Sequence, residues 1–93
     1  MAKPIRWNEE KNQLLQLTRG VSFEMVVEKL QKREVLARKK HHDQERYPNQ
    51  YIFVLELNDY VCYVPFVETS EEIFLKTIIP SRKLHKAYKG AKP

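Results

Sequence analysis

Apolar residues recur at helical spacing in the first third of the chain and at strand spacing from residue 51 onward, so the pattern predicts helices first and strands after them. Asn8 is a good N-cap, and Glu9 and Glu10 behind it place negative charge where a helix dipole favours it. Leu14, Leu15 and Leu17 would supply the apolar stripe of that helix, and Arg19-Gly20 reads as its last turn and C′ glycine. Ser22 can cap a second helix. Val21 and Val26 stand at the two positions of a hydrophobic staple, and Phe23, Val26, Val27 and Leu30 share one face.

The period then changes to two. Tyr51 to Leu57 and Tyr60 to Val67 flank Asn58-Asp59, a two-residue hairpin signal. Such a turn sets Leu57 against Tyr60, Leu55 against Cys62, Phe53 against Val64 and Tyr51 against Phe66, an apolar face throughout. A second turn at Thr69-Ser70 would set Phe66 against Ile73, Val64 against Leu75 and Cys62 against Thr77, extending that face onto a third strand, Ile73 to Ile79. The opposite face is mixed: Ile52, Val54, Glu56, Val61, Tyr63, Pro65, Phe74, Lys76 and Ile78. A slip of one residue would exchange the two faces, so the assignment depends on the turns. Pro65 has no N–H to give a ladder and predicts an irregularity. Residues 34–39 read equally as a strand or an extended loop, and Ser81 can cap a short basic helix, Arg82 to Lys89, ended by Gly90. The expected fold class is α+β: two N-terminal helices on an antiparallel sheet of three to four strands, with a short C-terminal helix.

Length limits this to a single domain, residues 1–93, because 93 residues cannot bury two cores. The lone cysteine, Cys62, can form neither an internal disulfide nor a cysteine-based zinc cluster, and no apolar run approaches the roughly 20 residues that span a bilayer. No membrane partner and a cytoplasmic location are the resulting expectations. The net charge of +5 is unevenly spread: residues 1–28 carry 0, 29–46 carry +4, 47–75 carry −5 and 76–93 carry +6. Two basic flanks around an acidic, strand-rich centre suit a polyanion or an acidic partner.

The candidate chemistry follows from those flanks. Arg38, Lys39, Lys40 and Arg46 in one, and Lys76, Arg82, Lys83, Lys86 and Lys89 in the other, interleave with Tyr47, Tyr63 and Tyr88. Cations contact phosphates and tyrosines stack on unpaired bases, so the mixture suits RNA or single strands, although a solubilising surface has the same composition. RNA cleavage without a metal needs a base for the 2′-OH, charge stabilisation at the phosphorane and an acid for the leaving 5′ oxygen, tasks open to His42, Glu56, Tyr63 and the cations. Ordinary cross-strand ion pairing accounts equally for Glu56, Tyr63 and Lys76 on one face. His41 and His42 are adjacent and His85 is remote, which is no metal-ligand spacing, and no cofactor-binding motif stands out.

Two segments carry a family resemblance. Ile5-Arg6-Trp7-Asn8-Glu9-Glu10-Lys11-Asn12, followed by Arg19-Gly20-Val21-Ser22-Phe23-Glu24, resembles the opening of the BrnT family of bacterial toxins, where a W-D-x-x-K-x segment leads into H-G-V-S-F-E-E-A. Ile78-Ile79-Pro80-Ser81-Arg82-Lys83 is similar to that family's I-I-S-A-R-K ending. Arg19 stands where the family often has histidine, and Glu45-Arg46-Tyr47 is similar to its E-R-W. The resemblance implies a RelE-like fold, a ribonuclease toxin of a type II toxin–antitoxin pair, and a small antitoxin as partner. Arg82, Lys83 and Arg46 are the residues it matches. Taken with the chemistry above, Arg82 and Lys76 are expected to stabilise phosphate charge, and His42, Glu56 or Tyr63 to move protons. The alternative is a non-catalytic basic module that binds nucleic acid or protein.

Overall fold

The computed structural model describes residues 3–90. In chain order the elements are β1 (Ile5–Trp7), α1 (Glu9–Arg19), α2 (Phe23–Gln31), β2 (Val35–Lys40), β3 (Gln50–Leu57), β4 (Tyr60–Glu68), β5 (Ile73–Leu75), β6 (Ile79–Pro80) and α3 (Arg82–His85), which runs into a wider helical turn at Lys86–Gly90. The strands make one sheet in the order β1-β5-β4-β3-β2, with β6 also paired to β4. Every pairing is antiparallel except β1 with β5. The chain is α+β, and its sheet has six strands rather than the expected three to four.

Both helix starts are capped as the sequence predicts: Asn8 Oδ1 accepts from the Lys11 N–H at 3.0 Å and Ser22 Oγ from the Met25 N–H at 3.3 Å. Gly20 closes α1 at φ +68°, a left-handed conformation that glycine adopts without a Cβ penalty. The buried stripe of α1 differs from the expected leucines. Leu14 and Leu17 are 51% and 85% exposed, while Asn12 and Leu15 are buried. Successive helical residues stand about 100° apart, so Leu14, Leu15 and Leu17 cannot share a face, whereas Asn12, Leu15 and Arg19 at i, i+3 and i+7 do. Asn12 earns its buried place by hydrogen bonding: Oδ1 accepts the Phe23 N–H at 2.8 Å and Nδ2 donates to Glu24 Oε1 at 2.9 Å. That bond from Asn12 also holds the Glu24 carboxyl below its ordinary value.

The hairpin has the expected register, Leu57 on Tyr60 through Tyr51 on Phe66, with Asn58 and Asp59 at φ 53° and 64° as a two-residue turn of matching twist requires. Phe23 and Val26 of α2 and Leu15 of α1 pack on Phe53, Leu55, Val64, Phe66 and Leu75 of that face. Cys62 joins this core, and burial pushes its thiol up from the usual range. Trp7 of β1 stacks on Phe23 with ring centroids 5.6 Å apart. The three-residue β1 is too short to show a period, which is why the pattern predicts only the helix after it. The ambiguous segment is a strand, β2, with a bulge between Val35 and Ala37.

The third strand requires a correction. Thr69 Oγ1 accepts the N–H groups of Glu71 and Glu72, both at 3.2 Å, and the Thr69 N–H donates to Glu72 O, so the turn takes four residues instead of two. Phe66 consequently pairs with Leu75 and not with Ile73, a two-residue shift that leaves the faces unchanged. Beyond Leu75 the Lys76 N–H donates to Pro65 O at 2.8 Å, but Pro65 has no N–H to return, and the ladder stops. It resumes one residue out of step, with Tyr63 on Ile79 and Cys62 on Pro80. That offset turns Ile78 away from the mixed face and fully into the core. Lys76, just before the break, is exposed in a hollow with Asn8 and Lys11 at the end of β1 and β5 and is not gathered with Glu56 and Tyr63.

Candidate functional site

Alternation along β3 and β4 sends Ile52, Val54, Glu56, Val61, Tyr63 and Pro65 to the face opposite the helical layer, and this face has two halves. The covered half is set by the C-terminal segment. Ser81 N–H donates to Val61 O at 3.1 Å and Ser81 Oγ caps α3 through the Leu84 N–H. His85 accepts the Val61 N–H on Nδ1 at 3.2 Å and stacks on Tyr60 with centroids 4.3 Å apart, so a side chain continues the β4 ladder where β6 ends. Farther on, Lys89 pairs with Glu56 at 3.2 Å, which carries the segment across the sheet from the β4 edge to β3. Val54 and Val61 in this half are fully buried. Arg82, Lys83 and Lys86 are exposed, and Tyr88 is 37% exposed.

The open half is a cleft of about 500 Å3. Ile52, Tyr63 and Pro65 line it from β3 and β4, and Lys39 and Lys40 from the end of β2. His41, His42 and Gln50 complete the lining. The loop after β2 is fixed by its own polar groups. Arg46 N–H donates to Asp43 Oδ1 at 3.2 Å, Tyr47 N–H to Asp43 O at 2.9 Å, and Gln44 Nε2 to His41 O at 2.7 Å. The His41 ring lies between His42 and Tyr47, each 4.5 Å away by centroid, and its Nδ1 accepts the Asp43 N–H at 3.0 Å. In the neutral ring the hydrogen is therefore on Nε2.

Lys39, Lys40, His42 and Tyr63 thus meet in one cleft. Glu56 lies on the same face but in the covered half, occupied by Lys89. Arg82 begins the helix three residues after Ile79, the register partner of Tyr63, and Lys83, Lys86 and Tyr88 follow it along that segment. Arg46 is exposed in the loop and does not line the cleft, and neither does Lys76. His41 is the cleft residue that sequence reasoning passed over. Its main-chain N–H pairs with Gln50 O, so the alternation Ala37, Lys39, His41 continues one step past β2 and is the signal that finds it.

The arrangement offers the Lys39 ammonium, two imidazoles and a phenol around an apolar floor, a set able to hold a phosphate and exchange protons with it, while Lys40 lines the cleft from a strand position on the face of Tyr51. None of the described helices is long and apolar enough to cross a membrane. Searches against protein-family models, curated proteins and solved structures returned no match to this chain.

Proposed function

We propose that this chain is a RelE-like endoribonuclease, the toxin of a type II toxin–antitoxin pair related to the BrnT family, acting on RNA in the cytoplasm without a metal or other cofactor and neutralised by a small antitoxin. The observation that supports it best is the cleft in which Lys39, Lys40, His42 and Tyr63 meet, on the sheet face that also bears the basic C-terminal segment. In this reading the 2′ oxygen of RNA attacks the adjacent phosphorus while its proton passes to His42. The bond to the 5′ oxygen breaks, and the Tyr63 phenol protonates that leaving oxygen and is reprotonated from solvent. Lys39 offsets the charge of the phosphorane, and Arg82 holds a phosphate oxygen. The products are a 2′,3′-cyclic phosphate and a free 5′-hydroxyl.

The pairing of Glu56 with Lys89 favours a second reading, because it withdraws the carboxylate of this face from proton transfer. A non-catalytic module would bind RNA in the same cleft and leave it intact. Incubating the purified protein with a single-stranded RNA in EDTA and sequencing the ends separates the two. Cleavage with cyclic-phosphate ends supports the nuclease, whereas binding without cleavage, lost in Lys39→Gln, supports the module.

A further inference from the structure

The outermost strand β2 points to a docking edge. It is hydrogen-bonded on one side only, to β3. Because the His41 N–H donates to Gln50 O, residues 39 and 41 direct their main-chain groups toward β3, and alternation directs those of Arg38 and Lys40 away from the sheet. An exposed edge of this kind is a template for another strand unless something guards it. Here the guard is charge: Arg38, Lys39 and Lys40 are consecutive, and Lys39 and Lys40 are in no ion pair among the described residues. Arg38 is already paired with Glu68 at 2.6 Å, so Lys39 and Lys40 are the cations that repel a second copy of the same edge and attract a strand that carries carboxylates. Leu36 beside them is 43% exposed and gives such a strand one apolar contact.

We infer that the β2 edge accepts an extended acidic segment of a partner protein as a seventh strand, hydrogen-bonded to the main chain of Arg38 and Lys40. A carboxylate lies beside the Lys40 side chain, on the face of Tyr51, while Arg38 on that face stays with Glu68, and the alternate apolar side chains lie on the Lys39 face. Lys39, Lys40, His41 and His42 form the β2 side of the cleft, so an added strand walls the cleft on that side and competes with a polyanion there. This deepens the reading given under Proposed function, since it specifies how an inhibitory partner would engage, but the docking edge itself does not depend on nuclease activity.

The test uses the whole chain, labelled with 15N, and an acetylated and amidated heptapeptide of alternating glutamate and valine. The expected result is slowed amide exchange at Arg38 and Lys40, affinity that falls with added salt, and no response to the matching lysine–valine peptide. Lys40→Pro removes an N–H that the sheet does not use, and it should weaken binding about tenfold, the equivalent of roughly one lost hydrogen bond with its associated clash. The amide spectrum of that variant establishes that it folds, and Lys39→Glu with Lys40→Glu provides a second variant that keeps every main-chain donor. Shifts confined to Arg82–Lys89, no binding, or side-chain shifts at Arg38 and Lys40 without slowed exchange would each overturn the inference. Cleavage of RNA is not measured, so failure here and failure of the nuclease reading are separate results.

Discussion

Arg19 Nη1 donates to the main-chain carbonyl of Ile78 at 2.8 Å, joining the last turn of α1 to the chain where pairing along β4 is interrupted between β5 and β6. The carbonyl lies in the gap created by Pro65, and the guanidinium supplies a donor that the interrupted ladder does not. A hydrogen bond from a charged donor at a partly buried site is worth about 1.5–3 kcal/mol. Arg19→Ala should therefore lower stability by roughly that amount in urea denaturation, and Arg19→Met, which keeps most of the stem, should lose nearly as much. A change below about 0.5 kcal/mol in both would show that the bond does not hold the break.

The core offers a second prediction. Phe23 of α2 and Leu55 of β3 are fully buried in the one core between the helices and the sheet. Truncating either to alanine removes buried surface and leaves a cavity, at a cost on the order of 3 kcal/mol. Leu17→Ala, on the same helical hairpin but 85% exposed, should change stability by less than about 0.5 kcal/mol. The three melts together test the inward face of α1 and α2.

These residues also show how far the sequence was legible. The caps at Asn8 and Ser22, the Gly20 stop and the Asn58-Asp59 hairpin are set by local chemistry, and each is where local chemistry puts it. The stripe of α1 was misread because its inward positions are Leu15 and Asn12, and Asn12 is buried for its hydrogen bonds and not for its hydrophobicity. The third strand was misread because the Thr69 hydroxyl stabilises a longer turn, and a single offset at Pro65 then changed the faces of everything beyond it. Pro65 announced an irregularity in advance, but not its size. On the site, Lys39, Lys40, His42 and Tyr63 were named from chemistry and line one cleft, while Lys76 lies in a separate hollow with Asn8 and Lys11.

A third prediction concerns pH. Glu68 accepts from Lys3 Nζ at 2.7 Å and pairs with Arg38 at 2.6 Å, and these two cations, Lys3 foremost, hold its carboxyl below the usual range. A depressed carboxylate stabilises the fold above its unfolded value of about 4.3, and that contribution is lost as the pH falls through the lower folded value. The Lys3 and Arg38 side chains are 34% and 49% exposed, so the effect should stay below about 1 kcal/mol and shrink in high salt. Glu68→Gln should thus be less stable than the parent at pH 7 and show a shallower loss between pH 5 and about 3. Parallel stability curves across that range would remove Glu68 from the account of acid sensitivity.

The last prediction concerns catalysis and rests on Arg82 and Tyr63. Arg82 is exposed at the start of α3, just beyond the strand pair that joins Ile79 to Tyr63, and it is the residue that the I-I-x-x-R-K ending matches. A guanidinium fork makes two parallel bonds to a phosphate, which an ammonium cannot reproduce, so Arg82→Lys keeps the charge and loses the geometry. Loss of a contact made in the transition state costs roughly 3 kcal/mol, or about a hundredfold in rate. Tyr63→Phe removes the proposed acid while retaining the ring that lines the cleft, and should reduce cleavage by a similar factor without weakening RNA binding. Lys76→Gln should leave the rate within about twofold, because Lys76 lies in a hollow with Asn8, Lys11 and Leu14 and does not line the cleft. Rates are to be measured in EDTA at equal folded concentration. If Arg82→Lys cleaves as fast as the parent while Lys76→Gln does not, the reaction takes place elsewhere on the sheet than in the cleft of Lys39, His42 and Tyr63.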